Sequence, residues 1–216
     1  MWKSGGWNGG DLEMSQSRLA VLISGSGSNL QAIIDQALEE DFPGQVVVVI
    51  SNRRDAYGLE RARNAGIPAI WVPHRGKSRR EFEENLISVL TEYRVDWIAL
   101  AGFMRVLTEH FLSSYPNRVL NIHPSLLPAF PGINAQKQAF EYGVKITGAT
   151  VHFVDSGMDT GAIIMQESVE VLSDDDENSL RNRILSAEHR LYPLVLGYAL
   201  SGRLRVEGRR VYLDQD

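Results

Sequence analysis

Near its start the chain reads Leu19-Ala20-Val21-Leu22-Ile23-Ser24-Gly25-Ser26-Gly27-Ser28-Asn29, where an apolar run stops at a glycine-rich turn. The run does not alternate with polar residues, which is typical of a strand buried on both faces of a parallel sheet. A helix-like segment begins at Ser28, directly after the turn. This order predicts an α/β fold with an anion-binding position at the turn, because free backbone N–H groups and the helix dipole meet there.

Strands and helices are predicted to alternate through the first half of the chain. The expected strands are residues 19–23, 46–50, 69–72, 97–100 and 119–122, and the expected helices are 28–40, 58–65, 79–93 and 108–115. This order indicates βαβ crossovers and a mostly parallel, twisted sheet. After Pro131 the expected elements are a helix at 134–142, an antiparallel pair at 147–154 and 162–171, a long helix that residues 174–177 cap and that ends near Leu200, and a hairpin at 204–213. The prediction is a single α/β domain with an antiparallel C-terminal part.

Composition narrows the class of protein. The 216 residues are 44% hydrophobic, which suits one domain at 18–216, and residues 1–17 are expected to be a disordered tail or a tag remnant. A net charge of −5 argues against general affinity for nucleic acid or membranes, although the clusters Arg53-Arg54 and Arg79-Arg80 permit small anionic ligands. The lack of cysteine excludes disulfides, thiolate nucleophiles and Cys-ligated zinc, and a cytoplasmic location fits best.

A polar pair stands at the end of the fifth predicted strand, in Asn121-Ile122-His123-Pro124-Ser125-Leu126-Leu127-Pro128. Residues i and i+2 of an extended backbone point to the same side, so Asn121 and His123 are expected to face one space. Pro124 biases His123 toward an extended conformation. A hydrogen-bond donor beside a titratable imidazole predicts a catalytic site, and the alternative is a capped strand end with a surface His.

The glycine turn fits one phosphate monoester better than a nucleotide. A dinucleotide site requires a third small residue where this chain has Leu30, and an acid at the end of the second strand where it has Ser51-Asn52-Arg53-Arg54. A Walker loop is excluded because no Lys followed by Ser or Thr closes the turn. The alternative is an ordinary βα turn in which Ser28 or Asn29 caps the helix.

A second polar cluster is expected to supply a partner for His123. Residues 150–161 alternate through a strand and enter a loop that carries Asp155 and Asp159. If this loop folds over His123, Asp159 is the candidate carboxylate that stabilises the imidazolium as a general acid. Alternatively, both acids are hairpin-turn residues that hydrogen-bond locally, and His152 is a buried, satisfied histidine.

The segment Gly102-Phe103-Met104-Arg105-Val106-Leu107 follows the fourth predicted strand. It joins apolar side chains to free backbone groups at the same edge of the sheet, so it could line a pocket for a flat heterocycle. Equally, Phe103, Met104 and Leu107 could be plain core.

Together these motifs resemble one enzyme family, the folate-dependent formyltransferases. The resemblance covers residues 18–213, with landmarks at 24–30, 51–52, 58–62, 100–105, 121–128, 152–161 and 188–193. The pattern Asn-x-His-Pro-Ser-Leu-Leu-Pro at 121–128 is characteristic of the whole family. The pattern Ser-Gly-x-Gly-Ser-Asn-Leu at 24–30 narrows the resemblance to members that hold a small phosphoribosyl substrate.

The resemblance implies a Rossmann-like formyltransferase fold and a reaction. A formyl group would pass from the cosubstrate 10-formyltetrahydrofolate to the amine of 5′-phosphoribosylglycinamide (GAR) in de novo purine biosynthesis. The amine would attack directly, through a tetrahedral intermediate and with no metal. Residues 18–120 would form a phosphate-binding half, and residues 121–216 a catalytic and folate-binding half.

The resemblance also implies roles for individual residues. The catalytic residues would be Asn121, His123 and Asp159. The GAR-binding residues would be Gly27, Ser28, Asn29 and Glu188. The folate-binding residues would be Arg79 or its neighbour Arg80, Met104, Arg105, Val106, Leu107, Asn121, Asp155 and Asp159.

Three other functions compete with this one. A formyltetrahydrofolate deformylase calls for an additional N-terminal regulatory domain, and a methionyl-tRNA formyltransferase for a C-terminal RNA-binding barrel, neither of which is expected in this length. A non-catalytic sugar-phosphate binding protein could keep the glycine turn without needing Asn121, His123 and Asp159 together. The expected partners are therefore the two small-molecule substrates, and the expected assembly is a monomer or homodimer.

Overall fold

A seven-stranded sheet forms the centre of the computed structural model, which describes residues 16–214. In chain order the elements are β1 Ser17–Ile23, α1 Ser28–Ala37, β2 Gly44–Ser51, α2 Gly58–Asn64, β3 Ala69–Trp71, α3 Arg79–Glu92, β4 Trp97–Leu100, α4 Glu109–Leu112, β5 Val119–His123, α5 Ala135–Tyr142, β6 Ile146–Phe153, β7 Ile163–Glu170, α6 Glu177–Leu200, β8 Leu204–Glu207 and β9 Arg210–Leu213. The tail expected at residues 1–17 lies outside the described residues except at its end, where Ser17 already begins β1.

The sheet confirms the predicted fold class. Its strand order is β3-β2-β1-β4-β5-β6-β7, and β8 and β9 form a separate hairpin. The first five strands are parallel, and β6 and β7 add the antiparallel part. The strand order reverses at β1, with β2 on one side and β4 on the other. Open α/β sheets bind ligands beyond the carboxyl ends of their strands near such a reversal.

Both faces of the sheet are covered by helices, which explains the uniformly apolar strands. Leu19, Val21 and Ile23 of β1 are buried in one cluster with residues of α1 and α6. Ala20 and Leu22 are buried in a second cluster with residues of α3 and α4. Because successive side chains of a strand point to opposite faces, a strand buried on both faces needs apolar residues at every position.

Two predicted helices were too long. The helix expected at 28–40 ends at Ala37, and the one expected at 108–115 spans only Glu109–Leu112. Beyond each end the backbone N–H groups bond three residues back, as from Tyr115 to the Leu112 carbonyl, which tightens the turn and ends the α-helix. Tyr115 also precedes Pro116, and the residue before a proline disfavours helical geometry.

The helix α6 spans the molecule and reaches the middle of the sheet. Asp176 caps its start, because the Asp176 side chain accepts a hydrogen bond from the Ser179 N–H and the Ser179 hydroxyl accepts one from the Asp176 N–H. The buried Tyr192 hydroxyl lies 3.1 Å from the Leu100 carbonyl and 2.9 Å from the Leu120 carbonyl, which ties α6 to β4 and β5. In the described part of the chain no helix, α6 included, combines the length and apolarity needed to cross a membrane.

Candidate active site

Asn121 and His123 lie side by side near the end of β5. They share one face because they are two residues apart in an extended strand. The neighbouring strand β6 runs antiparallel, and its register places His152 opposite Asn121 and Thr150 opposite His123. His123 is buried, with 4% of its surface exposed. The strand pair therefore brings an amide and two imidazoles together at one edge of the sheet.

His152 holds the Asn121 amide in one orientation. Nδ1 of His152 lies 2.7 Å from the Phe153 carbonyl oxygen, so the ring carries its proton on Nδ1 and donates it there. Nε2 is then an acceptor, and Asn121 Nδ2 donates to it at 3.2 Å. Burial lowers the pKa of His152, which keeps the ring neutral and preserves this pattern. His152 is thus a satisfied buried histidine whose partner is a predicted site residue.

Asp159 joins the cluster from the loop after β6. Its Oδ2 lies 3.4 Å from His123 Nδ1, and its Oδ1 lies 3.7 Å from His152 Nε2. Oδ2 also accepts a hydrogen bond of 2.7 Å from the Gly132 N–H. Asp159 has a φ of 54°, a left-handed conformation that non-glycine residues adopt rarely and often at functional sites. The loop therefore folds over His123, as the sequence predicted.

The turn at residues 129–134, which no motif of the sequence predicted as part of the site, closes the site from the other side. His123 Nε2 donates to the Phe130 carbonyl at 2.8 Å. Phe130 has a φ of 52°, which a bulky residue adopts only where its surroundings hold it. Both nitrogens of His123 therefore face acceptors, the Phe130 carbonyl and the Asp159 carboxylate. The signal available in the sequence was the turn pair Pro131-Gly132.

Asp155 has a local role in the structure. Its Oδ1 accepts hydrogen bonds from the Gly157 N–H at 3.1 Å and from the Thr160 hydroxyl at 2.7 Å. This is the turn pattern that the sequence analysis gave as the alternative. Arg209, between β8 and β9, donates to the Thr160 carbonyl at 3.1 Å and ties the same loop to the hairpin. Asp155 shapes the loop that presents Asp159, and its contact to folate stays a prediction.

The glycine turn leaves the start of α1 open. Gly27 is the N-cap of α1 with a φ of 72°, and no side chain caps the helix. A Cβ at Gly27 would lie 2.7 Å from the Gly58 Cα, so the position requires glycine. A Cβ at Gly25 would meet no atom within 4 Å, so a ligand can approach the backbone there. Because neither Ser28 nor Asn29 caps the helix, its first N–H groups are available to an anion.

Asn29 and Glu188 connect the turn to α6. Asn29 Nδ2 donates to Glu188 Oε2 at 2.7 Å. Burial raises the pKa of the Glu188 carboxyl, and the hydrogen bond from Asn29 opposes that shift. Asn29 Oδ1 is buried and has no hydrogen-bond partner in the described part of the chain. A buried acceptor without a partner, beside an open helix start, is a position that a ligand donor can complete.

Arg61 of α2 adds positive charge beside the turn, a role that was not predicted from the sequence. Its Nε donates to the Ser26 carbonyl at 2.9 Å, and its Nη1 donates to Gln31 Oε1 at 3.1 Å. These bonds hold the guanidinium next to the turn and fix the turn against α1. The contact joins residues 35 positions apart, so no local pattern announces it.

After β4, residues 104–107 lie partly at the site and partly in the core. Met104 and Val106 are large apolar residues with 68% and 46% of their surface exposed, and Met158 in the Asp159 loop is 58% exposed. Leu107 is buried in the core beside α3 and α4, so its predicted folate contact can involve only backbone atoms. The Met104 N–H donates to Ser24 Oγ at 2.8 Å, which joins this segment to the glycine turn.

Arg79 and Arg80 differ in their contacts, although both start α3. Arg80 Nε lies 2.9 Å from Glu84 Oε1 in an i,i+4 ion pair. Arg79 has no ion-pair partner within residues 16–214. Of the two, the Arg79 guanidinium is therefore the one available to an anionic ligand, and its contact to the folate tail stays a prediction.

The glycine turn and the cluster of Asn121, His123 and Asp159 open at the same edge of the sheet. The turn follows β1 and the cluster ends β5, with β4 as the single strand between them. Neighbouring strands lie about 4.8 Å apart, so the two places are separated by roughly 10 Å, the span of a small sugar phosphate. Among residues 16–214 no group of three or more His, Cys, Asp or Glu side chains is placed to hold a metal ion.

The sheet thus carries three features at one edge: a glycine turn with open N–H groups, a polar cluster opposite the turn, and exposed apolar side chains around them. This combination fits a group-transfer enzyme of the formyltransferase fold. The sequence model of the formyl transferase family matches residues 17–196, which is most of the chain. The chain belongs to the formyl transferase family.

Two individual relatives show which members of this family the chain is similar to. The chain is 44% identical over 197 residues to phosphoribosylglycinamide formyltransferase of Escherichia coli, a match that covers 91% of this chain and 93% of that protein. It is 50% identical over 194 residues to the trifunctional purine biosynthetic protein adenosine-3 of Drosophila melanogaster, which covers 88% of this chain but 14% of that protein. The chain thus spans a small part of the trifunctional relatives.

A solved structure agrees with these likenesses. The crystal structure of glycinamide ribonucleotide transformylase 1 from Symbiobacterium toebii superposes with a TM-score of 0.89 at 54% identity and covers 92% of this chain and 94% of that one. The family resemblance read from the motifs is therefore confirmed.

Proposed function

We propose that the chain is a cytoplasmic phosphoribosylglycinamide formyltransferase that passes the formyl group of 10-formyltetrahydrofolate to the amine of GAR. One observation carries the proposal. Asn121, His123 and Asp159 form one cluster about two strand spacings from an uncapped helix start. The likeness to the Escherichia coli enzyme over 93% of that protein supports the same conclusion.

The phosphate of GAR would bind at the glycine turn, in the half formed by residues 18–120. The open N–H groups at the start of α1 and the side chains of Ser28 and Asn29 would donate to its oxygens. Glu188 would accept from a polar hydrogen of the substrate, and Asn29 Oδ1 would gain the partner it lacks. The amine would then reach across β4 toward His123.

The folate donor would bind over the exposed apolar surface of Met104, Val106 and Met158. Flat heterocycles suit clefts that combine apolar walls with a few polar groups. Asn121 and Asp159 would supply polar groups beside the formyl end. Arg79 and Arg105 would meet the carboxylates of the tail, because guanidinium groups pair well with carboxylates.

Asn121 would stabilise the oxygen that becomes negative when the amine attacks the formyl carbon. Its Nδ2 already donates one N–H to His152, which fixes the amide plane. The second N–H of the same nitrogen would donate to the developing oxyanion. A preorganised donor of this kind is typically worth about 3 kcal/mol in the transition state, because the group pays no reorganisation cost during the reaction.

His123 would supply a proton to the departing folate nitrogen. As an imidazolium it donates to the Phe130 carbonyl and faces the Asp159 carboxylate. To reach the substrate, the His123 ring would break its hydrogen bond to the neutral Phe130 carbonyl and keep its contact with the charged Asp159 carboxylate. The attacking amine loses a proton as the C–N bond to folate breaks, so the imidazolium is restored over the cycle. Orientation of the two substrates removes the need for a covalent enzyme intermediate.

The test is formation of formyl-GAR from GAR and 10-formyltetrahydrofolate by the purified protein, followed by the absorbance of the folate product. We expect folate product to form only when GAR is present. Folate product and formate without GAR would indicate a deformylase, and transfer to methionyl-tRNA would indicate the tRNA enzyme. Binding of GAR with no turnover would refute catalysis and favour a sugar-phosphate binding protein.

A further inference from the structure

Glu83 is a buried carboxylate that the proposed reaction does not use. It lies on α3 with 1% of its surface exposed. Within residues 16–214 it has no ion-pair partner, although burying a carboxylate without compensation is costly. A carboxylate in this position needs hydrogen-bond donors, and the identity of those donors indicates what the residue holds in place.

Both oxygens of Glu83 accept hydrogen bonds from one residue, Thr108, which follows residues 104–107. Oε1 accepts from the Thr108 N–H at 2.7 Å, and Oε2 accepts from the Thr108 hydroxyl at 2.5 Å. Hydrogen bonds to a carboxylate are stronger than those between neutral groups, so this pair of bonds fixes both the place and the orientation of Thr108. Because Thr108 directly precedes α4, Glu83 fixes the point at which the chain leaves the proposed folate cleft.

The other end of the same segment is also held from the protein interior. The Met104 N–H donates to the oxygen of the buried Ser24 hydroxyl at 2.8 Å. That hydroxyl donates its own proton to Asn52 Oδ1 at 2.6 Å, which leaves its oxygen to accept from Met104. Residues 104–107 are thus anchored at both ends, by Ser24 at Met104 and by Glu83 at Thr108.

Between these two anchors the backbone of the segment is unpaired. In the described part of the chain, the N–H groups of Arg105, Val106 and Leu107 have no acceptor, and the carbonyls of residues 104–107 have no donor. A ligand that covers such groups must offer them hydrogen bonds in place of water. The spacing of these groups depends on where the two anchors hold the segment.

Helix α3 contacts the same stretch of chain through the residue next to Glu83. The Phe82 ring stacks on Phe103 with their centres 6.5 Å apart, and the Arg105 guanidinium lies 5.9 Å from the centre of the Phe82 ring. Phe82 and Phe103 are both buried. Packing and hydrogen bonding together therefore couple the position of α3 to that of residues 103–108.

We propose that Glu83 is a positioning residue for the folate donor. It does not touch the donor. It holds Thr108, and through Thr108 it keeps residues 104–107 in the shape that the donor ring requires. The proposal rests on the proposed function, because it assigns a role on the donor side of that site. Loss of Glu83 should therefore weaken donor binding and leave the GAR side, at residues 27–29, unaffected.

The test compares Glu83→Ala with Glu83→Gln. Alanine removes both acceptors, so the KM for the donor should rise about tenfold, with kcat within about threefold and the KM for GAR within about twofold of the wild type. Glutamine keeps an oxygen for the Thr108 N–H and can donate its amide N–H to the Thr108 hydroxyl. In Glu83→Gln the KM for the donor should therefore return to within about threefold of the wild-type value.

A binding measurement separates affinity from turnover, since KM equals the dissociation constant only when chemistry is slow. The probe is 5-formyltetrahydrofolate, an isomer that carries its formyl group on N5 and does not donate it. Its affinity in titration calorimetry should fall about tenfold in Glu83→Ala. Thr108→Val covers the case in which Glu83→Ala does not fold. It keeps the Thr108 N–H but removes the hydroxyl, so a loss of about threefold is expected.

The matched control is Asp175→Ala, which removes another buried carboxylate. The Asp175 side chain is 2% exposed and bonds Arg183 at 2.7 Å. It follows β7, whereas the loop of Asp159 precedes β7, so it lies at the end of that strand away from the site. This variant should lose stability in urea titrations and keep the wild-type affinity for 5-formyltetrahydrofolate.

Unchanged donor affinity in both Glu83→Ala and Thr108→Val would overturn the proposal. An equal loss in Asp175→Ala, or an equal rise in the KM for GAR, would overturn it as well, because either result would indicate a general effect of lowered stability. Failure of the proposed function is distinguishable from these results, since the wild type would then form no formyl-GAR. A failed proposal about Glu83 leaves formyl transfer by the wild type intact.

Discussion

Replacing Asp159 by Asn tests the charge that faces His123. The change is nearly isosteric, and the remaining Asn oxygen can still accept from the Gly132 N–H that now bonds Oδ2 at 2.7 Å. The loop should therefore keep its place. What disappears is the negative charge 3.4 Å from His123 Nδ1.

The magnitude follows from Coulomb's law. Two unit charges separated by 3.4 Å interact by about 5 kcal/mol at an effective dielectric constant of about 20. The Asp159 side chain is 13% exposed, so water screens part of this interaction. A loss of about 2 to 3 kcal/mol in the transition state corresponds to a fall in kcat of roughly 30- to 150-fold.

The assay is steady-state formyl transfer at saturating GAR and donor, with the KM for GAR measured separately. We expect kcat to fall by the amount above and the KM for GAR to stay within about twofold, because the proposed phosphate position is the distant glycine turn. The matched control is Asp155→Asn in the same loop, which keeps its bonds to Gly157 and Thr160 and should lose no more than about threefold. The reasoning is refuted if Asp159→Asn turns over within threefold of the wild type, or if both variants lose activity equally.

Four further changes probe other parts of the structure. Ser28→Ala combined with Asn29→Ala should raise the KM for GAR about tenfold or more with little change in kcat, and an unchanged KM would count against phosphate binding at the turn. Gly27→Ala should lower the free energy of unfolding by at least about 2 kcal/mol in urea titrations, because the left-handed conformation and the close Gly58 backbone both disfavour a Cβ. Tyr192→Phe should cost about 1 to 3 kcal/mol in the same titration, since it strips the buried carbonyls of β4 and β5 of a donor. Burial lowers the pKa of His152, so below about pH 6.5 the unfolded chain binds more protons than the native one and stability should fall with falling pH. His152→Gln should flatten this dependence between pH 7.5 and 5.5, and an unchanged slope would show that His152 does not cause it.

Local patterns were sufficient to predict most of the fold. The strand β1, the glycine turn and the start of α1 follow from an apolar run that ends at residues able to turn. The shared direction of Asn121 and His123 follows from the two-residue period of a strand. Helix ends were predicted less well, because a three-residue hydrogen-bonding pattern replaced the helical one after Ala37 and Leu112.

The active-site contacts depend on how distant segments pack. Asp159 could be proposed as a partner of His123, but its position depends on the register of β6 against β5 and on the Gly132 N–H that holds it. The pairing of Asn121 with His152 depends on the same register, since a slip of one residue would turn His152 to the opposite face.

The chain order of apolar and turn residues was enough to specify the class of sheet, the glycine turn before α1 and the shared face of Asn121 and His123 on β5, because each of these arises from interactions within a few residues. Only tertiary packing decided the hydrogen bond between Asn29 and Glu188 and the one between His123 and the Phe130 carbonyl. The same holds for a cavity beyond β2 and β3, which Arg53, Arg54, Arg75 and Arg105 line. Their residues come from separate segments, and it is burial of the two apolar faces of the sheet that sets the distances between them.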